Sequence, residues 1–192
     1  MAARQRAASV PEDPDRGAVD RARRGDLDTF DELVRRYQHR IVNFVRTQVP
    51  RAVDPEDVAQ EVFLRAWRGL KTFRGQSTFK TWLYQVATNT ARTHFARHSR
   101  RQEEPAGTLA EEGPDSPPPA VSPEDVEADV IRRDRIDHAL AALPADQREI
   151  VVLRDVEGFE YKEIAELLAI PIGTVESRLF RARAKLRRLL RA

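Results

Sequence analysis

Apolar residues recur along most of this chain at the three- and four-residue intervals of an amphipathic helix. Leu27, Phe30, Val34, Tyr37, Ile41 and Val45 form the first series. Asp26, after Gly25, suits the N-cap of that helix, which is predicted to end near Pro50. A second helix is predicted to start at Asp54-Pro55-Glu56-Asp57 and run to about Gly69. A capping carboxylate, a first-turn proline and further acids all suit the positive end of a helix dipole. Beyond the polar turn Thr72 to Ser77, a third helix carries Phe79, Trp82, Leu83, Val86, Ala87, Thr90, Ala91 and Phe95 on one side. Ile136, Leu140 and Leu143 predict a short helix that stops at Pro144, and Ile150, Val151 and Leu153 predict another that reaches Gly158. Two more follow: Tyr161 to Leu168, then a last helix from Gly173-Thr174 with Val175, Leu179, Ala182, Leu186 and Leu189 at helical spacing. The connection Ala169-Ile170-Pro171-Ile172 is short enough to force a sharp angle, which makes the pair a helix-turn-helix pattern. No strand-like alternation competes, so the expected fold is all-α.

The two groups of helices are separated by a stretch of different character. From Gln102 to Ile131 there is no Lys, Arg or His, whereas Glu103, Glu104, Glu111, Glu112, Asp115, Glu124, Asp125, Glu127 and Asp129 are acidic. Prolines at 105, 114, 117, 118, 119 and 123 remove backbone donors and interrupt helices, and little here can be buried. The expected organisation is a disordered tail over 1–19, a helical domain over 20–101, a flexible acidic, Pro-rich linker over 102–132, and a second helical domain over 133–192. Each small domain lies near the lower size limit for an independent core, and such domains often complete themselves against a partner.

Charge alters this picture through its distribution rather than its sum. The chain has 33 Lys+Arg against 31 Asp+Glu, a net of +2, which argues against indiscriminate coating of nucleic acid. Nearly all the cations are arginine, the lysines being Lys71, Lys80, Lys162 and Lys185. With 0 cysteines, disulfides, zinc-thiolate sites and thiol nucleophiles are excluded. No apolar run approaches the roughly 18 residues of a membrane span. Met1 to Gly17 has no apolar segment of the secretory type, so cytoplasmic residence is expected. The histidines are His39, His94, His98 and His138; His94 and His98 stand four apart with no third ligand, and neither a metal nor another cofactor is assigned. Glycine-rich phosphate loops, nucleophile elbows and carboxylate pairs in apolar surroundings are also missing, so no catalytic residue is expected.

Three faces can bind a partner. On the last helix, Thr174, Ser177, Arg178, Arg181 and Lys185 lie opposite the apolar stripe, and from Arg178 to Arg191 there are seven basic residues and no acid. That face suits a DNA major groove, although a solvated basic helix has the same composition. On the helix from Asp54, residues Asp57, Gln60, Glu61 and Leu64 stand outward with Trp67 at the edge. An exposed Leu and Trp beside acids suit a partner-binding strip, while periodicity equally allows both as core. The third helix carries Trp82, Tyr84, Asn89 and Arg92 behind a loop with Phe73, Arg74, Gln76 and Ser77, and continues into Arg97, Arg100 and Arg101. Aromatics, amides and arginines together suit unpaired bases. The same spacing reads Phe79, Trp82 and Leu83 as core, which leaves the polar loop as the better candidate.

The runs Asp54-Pro55-Glu56-Asp57-Val58-Ala59-Gln60-Glu61-Val62-Phe63-Leu64-Arg65-Ala66-Trp67 and Phe73-Arg74-Gly75-Gln76-Ser77-Thr78-Phe79-Lys80-Thr81-Trp82-Leu83-Tyr84, with Ala87 and Asn89, resemble region 2 of the extracytoplasmic-function (ECF) sigma factors, group 4 of the sigma-70 family. Leu143-Pro144, Arg148-Glu149, Tyr161-Lys162-Glu163-Ile164-Ala165-Glu166 and Ile170 to Arg183 resemble region 4 of the same family. The resemblance implies a protein that joins core RNA polymerase and directs it to promoter DNA, with an anti-sigma factor as the expected control. By motif position, Asp57, Gln60, Glu61 and Leu64 would dock on the polymerase clamp helices. Phe73, Arg74, Ser77 and Asn89 would hold a flipped base of the non-template single strand at the minus-10 element, and Thr174, Ser177, Arg178, Phe180 and Arg181 would read duplex at minus-35. One position departs: many relatives carry Lys or Arg where this chain has Glu176, a carboxylate able to accept from cytosine N4 but not to bind phosphate. Two other readings remain open at this point, a stand-alone helix-turn-helix regulator and a nucleic-acid-processing enzyme. The first lacks a dimerising helix, and the second lacks clustered metal ligands.

Overall fold

A computed structural model describes residues 13–103 and 135–191. Among them every regular element is helical: α1 (Arg16–Arg23), α2 (Leu27–Gln48), α3 (Pro55–Leu70), α4 (Phe79–Glu103), a helical segment 135–141, α5 (Ala145–Val151), a π-helical turn (Val152–Val156), α6 (Tyr161–Leu168) and α7 (Ile172–Arg191).

The caps read from sequence are present. Asp26 Oδ1 accepts from Thr29 N at 3.0 Å, while Thr29 Oγ1 donates to Asp26 Oδ2 at 2.7 Å. Asp54 Oδ1 accepts from Glu56 N at 2.8 Å ahead of α3, with Pro55 in the first turn. Each carboxylate satisfies donors that the first turn of a helix leaves without an intrahelical partner.

In the first unit, α2, α3 and α4 pack round Phe30, Leu33, Ile41, Phe44, Val58, Val62, Leu70, Phe79 and Leu83. The aromatic rings meet edge-on or tilted, Phe44 with Tyr84 at 5.2 Å and Phe30 with Trp67 at 4.9 Å. Helix α1 corrects the expected tail at residues 13–19. Asp15 is buried and accepts from Tyr37 Oη and from Arg36, Val19 enters the core, and Asp13 Oδ2 caps α4 by accepting from Phe79 N at 2.8 Å. Isolated acids and a single valine carry no helical periodicity, so only these long-range partners order the segment. Residues 1–12 of the expected tail, and the expected linker beyond the end of α4 at Glu103, lie outside the described residues.

In the second unit, α5 and α7 pack together, and α6 crosses them as the first helix of the helix-turn-helix. The predicted helix to Gly158 instead changes at Val152 to a π-helical turn, with Glu157 N bonded to Val152 O at 2.9 Å. Gly158, at φ +75°, then turns the chain sharply, which a side chain would resist. The buried residues of both units form one continuous core. Helix α4 lies between them, which explains why it is buried on more than one side: Leu83 and Ala87 accompany Thr81, Tyr84 and Thr88.

Candidate polymerase and nucleic-acid interfaces

Helix α3 points Val58, Ala59, Val62 and Ala66 inward and leaves Asp57, Gln60 and Leu64 in solvent. Leu64 is 56% exposed, so it is surface, whereas Trp67 is half-buried against Phe30. Glu61 differs from the other three. It accepts from Arg65 Nε at 2.8 Å and from His94 Nε2 at 2.6 Å, stapling α3 to α4. The bond from His94 lowers the Glu61 carboxyl below its usual range, against the opposing effect of burial. The staple also gives His94 a carboxylate partner. Among the described residues no cluster of ligands could hold an ion.

The loop between α3 and α4 exposes Arg74 and Gln76 and half-buries Ser77, with Gly75 at φ +67° forming the turn. Asn89 stands exposed on α4. Phe73 differs from the rest of the loop: it is 8% exposed and its ring packs on Trp82 at 5.1 Å. An aromatic after a polar turn looks the same in sequence whether it faces a ligand or closes a core.

On α7, Val175, Leu179 and Ala182 are buried, and the opposite face carries Thr174, Glu176, Ser177, Phe180 and Arg181. Phe180 is 71% exposed. Arg181 Nε donates to Ser177 O at 3.2 Å and Ser177 Oγ donates to Thr174 O at 3.1 Å, which lines up these groups along one edge. Arg178 is held by Asp146 of α5 at 3.1 Å, so that guanidinium is partly committed within the unit. Lys185 donates to Ala142 O at 2.6 Å, and Arg183 is paired with Asp155. The cations left to an outside anion are therefore fewer than the basic run suggests.

A second constellation has no counterpart in the sequence reading. Glu157, just after the π-helical turn, accepts from Arg40 Nε at 3.0 Å, from Arg40 Nη2 at 2.7 Å and from Tyr84 Oη. Lys80 Nζ donates to the Glu157 carbonyl at 2.6 Å and lies 4.2 Å from the Phe159 ring centroid, and that ring meets Tyr84 edge-on at 5.0 Å. Burial works against the Arg40 charge, but the Glu157 carboxylate outweighs it and the guanidinium is held more firmly protonated. Burial and then the bond to Glu157 push the Tyr84 hydroxyl up, keeping it a donor. A second link runs from Arg92 Nη2 to Glu149 Oε2 at 2.9 Å. Arg40 and Glu157 lie 117 residues apart, a separation that no periodic pattern reveals.

A helical bundle with an outward acidic and apolar strip is thus joined to a helix-turn-helix whose second helix presents Ser, Thr and Arg. Residues 33–101 match the family model Sigma-70 region 2, and residues 133–186 match Sigma-70, region 4. The chain is 39% identical over 184 residues to the RNA polymerase sigma-H factor of Pseudomonas aeruginosa, covering 91% of this chain and 92% of that protein. It is 38% identical over 181 residues to the ECF RNA polymerase sigma-E factor of Escherichia coli K12, covering 88% and 90%. Among solved structures it resembles CnrH in complex with the cytosolic domain of CnrY, with TM-score 0.68, 26% identity, and 92% and 96% of the two chains covered. It also resembles the sigma factor RpoE in complex with the anti-sigma factor NepR from Bartonella quintana, with TM-score 0.69, 26% identity, and 85% and 97% covered. The chain belongs to the ECF sigma factors of the sigma-70 family. It is a non-catalytic initiation subunit that directs RNA polymerase to promoters. No described helix is long and apolar enough to cross a membrane.

Proposed function

We propose that α3 and α7 are the working surfaces of this initiation subunit, and that it acts in the cytoplasm under the control of an anti-sigma protein. The observation that carries the reading is the division of labour on two helices: each buries one stripe and holds out side chains that its own unit does not need. Asp57, Gln60 and Leu64 dock on core polymerase, with Glu61 setting the edge of that strip through its staple to His94. Arg74, Ser77 and Asn89 hold a displaced base of the non-template strand, and Phe73 supports their loop from the core. Thr174, Ser177, Phe180 and Arg181 meet the minus-35 duplex, with Arg178 contributing once it leaves Asp146. The first domain then includes α1 and ends with α4, and the second begins before the segment 135–141. Control by an anti-sigma protein is supported by the two solved relatives, one in complex with the cytosolic domain of CnrY and one with the anti-sigma factor NepR.

Unstacking a base costs a few kcal/mol, which polymerase contacts and base capture must offset together. The test mixes purified chain with core polymerase and a promoter library. Specific initiation is expected, and Arg181→Ala should weaken use of the selected promoters by about 1–3 kcal/mol. Initiation by the variant equal to that of the parent would remove Arg181 from the site.

A further inference from the structure

A cleft of about 590 Å³ opens where the end of α2 and the α2–α3 connection face the segment 135–141 and α5. That volume lies within the roughly 300–1,000 Å³ typical of small-molecule sites. Val49 and Val53 from the first unit and Leu140 from the second give it an apolar wall, and Phe95 of α4, 43% exposed, adds its ring. Arg46, Arg51 and Arg148 supply its cations. None of these arginines belongs to the surfaces proposed above for polymerase or DNA.

Arg148 is the unusual member. Its Nε is buried and has no hydrogen-bond partner among the described residues. The acids near it on α5 are engaged elsewhere: Asp146 holds Arg178 at 3.1 Å, and Glu149 holds Arg92 at 2.9 Å. Asp137, the one acid among the described lining residues, is exposed to solvent. Burial alone holds the Arg148 guanidinium below the usual arginine range, with no anion opposing the shift. A buried donor without an acceptor destabilises the fold, and an arriving anion would relieve it. Arg51 Nη2 stands 3.4 Å from His138 Nε2, so basic groups from both units meet at this cleft.

The wall decides which anion fits. A nucleotide or polyphosphate needs several converging donors, whereas Arg46 and Arg51 are exposed and Arg148 alone of the three is half-buried. We infer that this cleft binds a small carboxylate with an apolar chain, the head group pairing with Arg148 and the chain lying over Val49, Val53 and Phe95. Arg46 and Arg51 draw the anion in, and its chain covers apolar surface that neither unit buries. Because the walls come from both units, the site belongs to the full-length chain.

Isothermal titration of the full-length chain with decanoate, kept below its micelle concentration, tests the site without polymerase or DNA, so its outcome is separate from that of promoter-specific initiation. A single saturable site is expected, with each methylene added from octanoate to dodecanoate tightening binding by about three- to fourfold. Acetate, which lacks the chain, and decanol, which lacks the charge, should both bind more weakly than decanoate by about tenfold or more. Arg148→Met should weaken decanoate by about tenfold or more and, without ligand, melt at the parent's temperature or higher, because an uncompensated buried charge has gone. Ala141→Trp, at an exposed lining position, should fill the cleft and block decanoate while every charge is kept, so the inference stays testable even if the Arg148 variant does not fold. Four outcomes overturn it: no saturable decanoate binding, equal binding of decanol or decyltrimethylammonium, undiminished decanoate affinity in Ala141→Trp or in folded Arg148→Met, or binding of hexaglutamate in place of decanoate, which would make the cleft a site for acidic peptide.

Discussion

Replacing Leu64 with alanine separates partner docking from folding. The side chain is 56% exposed in the free chain. Full burial of a leucine is worth about 1.5–3 kcal/mol, so covering the remaining half against polymerase is worth about 1–1.5 kcal/mol. Loss of that burial raises Kd for core polymerase by about five- to twelvefold. Alanine is a stronger helix former than leucine, and an exposed substitution shifts stability by about 0.5 kcal/mol or less. Leu83→Ala supplies the contrast: that side chain is fully buried, and its truncation should cost about 2–5 kcal/mol of folding. Urea unfolding of both variants and competition binding of labelled chain to core polymerase read the two quantities separately. An unchanged Kd for Leu64→Ala with intact stability would remove Leu64 from the docking strip. A stability loss above about 1 kcal/mol would instead make it part of the core.

Three further perturbations address the loop, the staple and α1. Gly75→Ala places a Cβ at φ +67°, at a cost of about 1–2 kcal/mol; promoter melting with core polymerase should fall while minus-35 duplex binding is kept, and a loss of both would mean wider disruption. The Glu61 carboxyl, lowered from its usual 4.5 chiefly by the bond from His94, adds stability that is complete above pH 4.5 and is lost as pH falls through its lower folded value. Thermal unfolding followed down in pH should therefore drop more steeply for the parent than for Glu61→Gln, and parallel curves would deny the staple its energy. Asp15→Ala leaves the buried Tyr37 hydroxyl without its acceptor at a cost of about 1–3 kcal/mol, with faster hydrogen exchange in α1. Unaltered exchange there would show that the bonds to Asp15 do not hold α1.

The candidate recognition residues were only partly legible. Asp57 and Gln60 project outward as the α3 period suggested, whereas the exposure of Leu64, which the period left open between surface and core, was decided by the fold. That Phe73 is buried was not legible, because loop aromatics have no period to show which way they face. Arg178 was legible as a cation but not as the partner of Asp146, since that pairing depends on how α5 lies against α7.

Sequence by itself determined α2, α3, α4, α6 and α7: apolar spacing, the Asp26 and Asp54 caps and the turn before α7 are local, and each acts within a few residues. It also determined the family, through motifs that lie within single helices and loops. Tertiary structure alone decided that Asp15 orders α1, that Glu61 and His94 join α3 to α4, and that Glu157 and Glu149 seat the second unit on the first. The reason is that a buried carboxylate is stable only where the folded chain brings it a donor, and a donor 117 residues away leaves no mark on the spacing of its neighbours.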